Sequence, residues 1–343
     1  MNKNKKRKEK LYEIYSQNLS WVKKHPKVSF EPNFEKGYIC PLCFNLFDES
    51  SLNELCLNPL TFDHNPPKSL GGKQGVLTCK ECNSKAGHKL DNHLLARLEE
   101  LDFRNSAPNS RTRAILQSDN YKISSNIEID DERTFKIHID RKNSNPNHID
   151  KFLQNRTYTY KAYDPFLKGH DFLEAGLNWR LNFTMQLPSK SNERFAQIAL
   201  LKIAYLYAFQ KFGHGFLINS NLYKIREQIL NPEKDILPEV FWLKYDFPED
   251  AIGLNIINKP EELKCFLIVF NLFTKSSKRQ FAIALPGTSR SHLGIYQNIE
   301  TILCQKKEGS TDLNLEHLFD KDYATEKKYA FASHSLWKNL ACR

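Results

Sequence analysis

Two Cys-x-x-Cys pairs, Cys40/Cys43 and Cys79/Cys82, constrain this chain more than any other feature of it. Each pair lets two sulfurs converge on one ion, and two pairs supply the four thiolates of a tetrahedral structural zinc site. Thirty-five residues lie between Cys43 and Cys79, more than a simple zinc ribbon needs and enough to hold functional side chains. No βαβ pattern surrounds either pair, which argues against a redox role. Eight cysteines in 343 residues do not make a disulfide scaffold. Cys56 reads as a small buried thiol, because four ligands are already at hand.

The insertion has its own pattern. Leu60-Thr-Phe62 reads as a short strand ending on Asp63-His64, and Pro66-Pro67 prevent the ladder from continuing. Gly71-Gly72 form a turn and Val76-Leu77-Thr78 a return strand. From Asn83 the spacing becomes helical, with Leu90, Leu94, Leu98 and Leu101 on one face and Asp91, Arg97, Glu99 and Glu100 outside. Phosphodiester hydrolysis needs an attacking water, a base for its proton and a cation for the developing charge. Histidine suits the base, and a carboxylate with an amide or imidazole suits a divalent ion. Asp63, His64, Asn83 and His88 supply such a set. Neighbouring side chains on a strand point to opposite faces, so Asp63 and His64 take different roles.

The segment resembles the zinc-stapled form of the HNH (His-Asn-His) or ββα-metal endonucleases over about residues 38–95. The residues that carry the resemblance are CPLC, the DH dipeptide, the GG turn, LTCKECN and the basic start of the helix. It implies that His64 is the general base, Asp63 a metal ligand and Asn83 the second ligand. His88 is then a further ligand or phosphate contact, and Lys85 and Lys89 meet nucleic acid. It implies Zn2+ on Cys40, Cys43, Cys79 and Cys82, and Mg2+ or Mn2+ at the catalytic position. One departure stands out: the family's middle asparagine sits a few residues before the third cysteine, where this chain has Gln74.

Residues 1–37 read as a basic tail and a helix. Six of the first ten residues are Lys or Arg, a solvated tail or a flexible arm for phosphates, and Leu11, Ile14, Tyr15, Leu19 and Val22 recur at helical spacing until Pro26. Residues 38–102 form the zinc-stapled domain, and the polar stretch 103–120 a linker. Residues 121–343 form a mixed α+β domain with a mainly antiparallel sheet. Its elements are a hairpin over 121–139, a short helix at 146–154 and a strand from Trp179 to Leu187. A core helix from Asn192 to Phe212 follows, then a short helix at 221–230. Strands at Val240–Phe247, Ile252–Ile257, Lys264–Phe273 and Gln280–Leu285 precede a helix at 293–305. The fold class is therefore α+β.

A net charge of +10 and a pI near 9.0 point to a polyanionic partner. The amino-terminal basic residues are followed by no apolar stretch, so no secretory signal is expected, and no run approaches the ~18 apolar residues of a membrane span. A cytoplasmic protein without a membrane partner is expected. The function that follows is metal-dependent cleavage of DNA, ahead of RNA, in a setting such as bacterial restriction or antiphage defence. Residues 121–343 would recognise a target, an activator or a protein partner. The alternative is a non-catalytic zinc module that binds nucleic acid or a protein.

Overall fold

The computed structural model describes residues 3–118, 120–154, 156–160, 177–181, 183–243, 246–304, 312–318 and 322–340. The chain is α+β with antiparallel sheets, and it divides into two compact units. One joins residues 1–97 to 191–343; the other is residues 98–190. No helix of the described residues is long and apolar enough to cross a membrane.

In the discontinuous unit the N-terminal helix Lys3–Lys23 buries Lys8, Tyr12, Tyr15, Leu19 and Val22 along one stripe. The expected basic tail is thus the first turns of a packed helix. Lys8 continues the apolar stripe by laying its methylenes inward, and its ammonium donates to the Leu52 carbonyl at 2.9 Å. Tyr38–Ile39 pairs antiparallel with Leu46–Phe47 around the first knuckle. Leu60–Asn65 pairs antiparallel with Lys73–Cys79, and helix Lys80–Ala86 follows directly. The turn between those strands needs its glycines. Gly71 has φ +88°, and a Cβ on Gly72 would lie 1.4 Å from the Pro66 carbonyl oxygen.

Helix Glu193–Phe212, capped by the Asn192 side chain, is apolar around nearly its whole circumference and lies at the centre of this unit. Phe212 meets Phe266 of the five-stranded sheet at 5.3 Å between ring centres, and Phe209 stacks on Tyr15 of the N-terminal helix at 5.2 Å. The sheet order is Trp242–Leu243, Lys278–Pro286, Cys265–Phe273, Gly253–Lys259, Asn314–His317, antiparallel throughout. The expected strand over Val240–Phe247 is two residues long there, with 244–245 outside the described residues. The expected helix at 293–305 runs as Ile295–Ile299 and a π turn to Cys304, with residue 305 also outside.

In residues 98–190 the strands Thr184–Gln186, Ser110–Ser118, Tyr121–Ile129 and Phe135–Ile139 form a sheet in that order. Helix Pro146–Gln154 buries Ile149 and Phe152 in the core these strands share with Phe103. A separate ladder joins Arg156–Tyr160 to Leu177–Leu181, so the expected strand from Trp179 to Leu187 is split, with residue 182 outside the described residues. The stretch expected to be a linker, 103–120, instead holds the end of helix Asn92–Arg104 and a full-length central strand. The reason is alternation: Ser110, Ala114, Leu116 and Ser118 are buried while Arg111 and Arg113 are exposed.

His214 illustrates how tightly the discontinuous unit is closed. Its ring is buried among Tyr15, Tyr38 and Phe209, and Nε2 accepts the Ile39 N–H at 3.2 Å. Burial away from water holds its pKa down to about 3, against 6.5 ordinarily. The imidazole is therefore neutral in the folded chain and takes up a proton only on unfolding. The stability this carries is complete above pH 6.5 and is lost progressively as pH falls from there towards 3. Urea unfolding at pH 5.5 is expected to show about 1.4 kcal/mol less stability from this residue than at pH 7.5. His214→Gln is expected to remove that part of the pH slope; a variant as steep as the wild type would assign the slope to other groups.

Candidate metal centre and hairpin site

The four cysteine sulfurs all lie within 4.8 Å of one another, a spacing that could hold a metal ion. Local structure explains why. The Cys40 carbonyl accepts the Phe44 N–H and the Cys40 N–H donates to the Asn45 carbonyl, closing a turn, and Cys79 ends its strand and caps helix Lys80–Ala86, which puts Cys82 in the first helical turn. Backbone N–H groups face the sulfurs, Cys79 donating to Cys40 Sγ and Cys82 to Cys79 Sγ, each at 3.5 Å. Hydrogen bonds from Cys40 and the other thiols draw the Cys79 thiol far below its ordinary range, while burial pushes that of Cys40 well up. Such a group of packed sulfurs matches the donor set of zinc. Cys56 stands apart, half-buried, donating to the Ser50 carbonyl.

The hairpin carries the other expected residues. Asp63 is opposite Val76 and His64 opposite Gln74, so Gly75 is an extra residue on the return strand, a β-bulge beside His64. Gln74 does occupy the place across from the expected base. His64 is half-buried. Asn83, in the first turn of the following helix, donates through Nδ2 to Thr61 Oγ1 at 3.0 Å and to the Phe62 carbonyl at 2.9 Å. Thr61 spends its own proton on the Thr78 carbonyl, so it can only accept from Asn83. With its nitrogen fixed by two acceptors, the Asn83 amide oxygen is left without a protein partner among the described residues.

Asp63 is placed differently from the expectation of an open ligand. The residue is only 2% exposed, and its carboxylate accepts from Thr78 Oγ1 at 3.3 Å and stands 3.9 Å from the ammonium of Lys202. Lys202, on the core helix and fully buried, makes its short bonds to Asp91, at 2.8 and 3.0 Å. Burial works to lower the Lys202 ammonium, but the carboxylates of Asp63 and Asp91 outweigh it and hold it above the usual lysine value. Asp63, the more distant partner, has its pKa raised by burial against the pull of Lys202.

His88 is exposed on the π turn Gly87–Asp91, and no bond among the described residues joins it to Asp63, His64 or Asn83. Lys85 is exposed, and Lys89 meets Glu233 at 3.5 Å. His93 is half-buried, its Nδ1 accepting the Asn192 N–H and its ring against Phe195. Asp91, expected on the outer face, turns inward instead: a π turn shifts the phase of the helix and brings it onto Lys202. Lys202 itself was detectable as the lone cation in Ala196-Gln-Ile-Ala-Leu-Leu-Lys-Ile-Ala-Tyr205. A charge amid apolar neighbours on all sides of a helix needs a buried counter-ion. Against models of protein families, curated proteins and solved structures, the chain shows no significant match.

Proposed function

We propose that this chain is a zinc-stapled HNH-type endonuclease that hydrolyses phosphodiester bonds, with DNA as its substrate. The observation that supports this best is the Asn83 side chain anchored on the strand that carries Asp63-His64, directly after the fourth cysteine. Zn2+ on Cys40, Cys43, Cys79 and Cys82 would fix the start of the helix against the hairpin. His64 takes the proton of the attacking water on a ring nitrogen, and Gln74 lies across the ladder from it. The donors suit a hard divalent ion in kind but are not gathered around one: Asn83 Oδ1 is open to Mg2+ or Mn2+, whereas Asp63 would have to exchange Lys202 for the ion and His88 would have to turn in from the surface. Such an ion supplies positive charge for the phosphate and the leaving oxygen.

Plasmid cleavage by the full chain with Mg2+ or Mn2+ tests the proposal. His64→Ala is expected to lose about 10²–10⁴-fold in rate with zinc content and melting temperature retained. Equal rates in the two proteins would remove His64 from the base role. One observation favours the non-catalytic alternative, the Lys202 ammonium already facing Asp63. Inert wild-type protein that still binds DNA would select that alternative.

A further inference from the structure

We propose that the exposed basic face of the N-terminal helix, formed by Lys3, Lys6, Arg7 and Lys10, is the surface on which the phosphate backbone of the substrate strand lies as it approaches His64. The inference rests on the nuclease reading for what happens to that strand; its evidence is separate. Positions 3, 6, 7 and 10 fall on one side of a helix. The helix is held in place by the opposite side, where Lys8, Tyr12, Tyr15, Leu19 and Val22 are buried.

Arg7 locates the basic face relative to the hairpin. Its guanidinium donates to the carbonyl of Gln74, and Gln74 is the residue paired with His64. Lys73, next in the strand and exposed, adds a further cation on the same rim. Lys3, Lys6 and Lys10 are exposed and have no ion pair among the described residues. Lys36, by contrast, is matched by both Glu13 and Glu49. Unmatched cations grouped on one fixed face are an electrostatic footprint for phosphates.

A cleft of ≈ 790 Å³ opens beside this helix, and its wall includes Thr61 and Phe62, the two residues that anchor Asn83. It is also lined by Glu9, Glu49 and Glu54, so its charge is mixed. That is why the phosphates are assigned to the helix face and not to the cleft.

The test is the salt dependence of binding to a fluorescein-labelled DNA duplex of about thirty base pairs, measured by anisotropy in a His64→Ala background. The triple variant Lys3→Gln/Lys6→Gln/Lys10→Gln leaves Arg7 on Gln74. The slope of log affinity against log salt is expected to fall by about 0.9 for each lost contact, about 3 in all. A control, Lys224→Gln/Lys327→Gln/Lys328→Gln, removes the same charge at exposed sites elsewhere and is expected to leave the slope unchanged. A triple variant with the wild-type slope, or a control that loses as much, overturns the proposal. A wild-type chain that never cleaves, but whose slope falls only in the first variant, overturns the nuclease reading and upholds this one.

Discussion

Cys79→Ser will leave the chain without stoichiometric zinc and without a folded segment from Tyr38 to Ala86. Cys79 does three jobs in the structure. It is one of the four clustered sulfurs, it ends the return strand opposite Leu60, and it caps the helix through its bond to Cys82 N. Serine can still cap, so the loss expected is that of the metal. A structural zinc site contributes about 10–16 kcal/mol in small zinc domains, as much as the whole stability of a typical domain, about 5–15 kcal/mol. Metal analysis should read close to one zinc per wild-type chain and almost none in the variant. Limited proteolysis should open the variant between the two knuckles. Cys56→Ser, outside the cluster, is expected to keep both zinc and protease resistance. Stoichiometric zinc in Cys79→Ser would show that the ion does not need this sulfur.

The second large effect is expected from Lys202→Met, a change that keeps the length of the side chain and removes its charge. The ammonium is fully buried between Asp63 and Asp91. Without it, two carboxylates remain near each other, that of Asp63 buried and that of Asp91 partly exposed. Breaking a buried pair by removing one partner costs about 3–5 kcal/mol, most of it the penalty on the charges left behind. Denaturant midpoints should fall accordingly. The diagnostic measurement is the triple variant Lys202→Met/Asp63→Asn/Asp91→Asn, expected to regain most of the loss because no buried charge is then unmatched. A single Lys202→Met with unchanged stability would mean that the three groups do not depend on one another.

What could be read from the residue string follows from the range of each interaction. The converging cysteines, the hairpin around Asp63-His64 and the helix after Asn83 are specified by spacings of a few residues, and the described structure has all three. The core helix Glu193–Phe212 was equally plain, from its apolar circumference and the Gly213 stop. Its destination was not. Tyr205 Oη donates to the Pro41 carbonyl, and Asn65 donates to the carbonyl of Ile203, across sequence separations of 164 and 138 residues. No periodicity encodes such pairings, so the division of the chain into 1–97 with 191–343, and 98–190, could not be anticipated. The strand Ser110–Ser118 escaped for a different reason. Its inward residues include two serines and an alanine, too weakly apolar to show a two-residue repeat. The first ten residues looked like a tail because Lys8 stands where an apolar residue would have extended the helical stripe.

The hydrogen bonds from the core helix to the first knuckle and the hairpin carry a consequence for biosynthesis. A ribosome releases both cysteine pairs before the residues that cover them, with the whole of 98–190 made in between. At about 5–20 residues per second that interval lasts roughly five to twenty seconds. Over that time neither Lys202 nor the Ile203 carbonyl is available to Asp63 and Asn65. Capture of an ion by the nascent thiols would join the hairpin ladder and the Asn83 anchor among the contacts whose parts are already present. A metal on the four sulfurs would then hold the hairpin in shape until the later helix arrives to close over it.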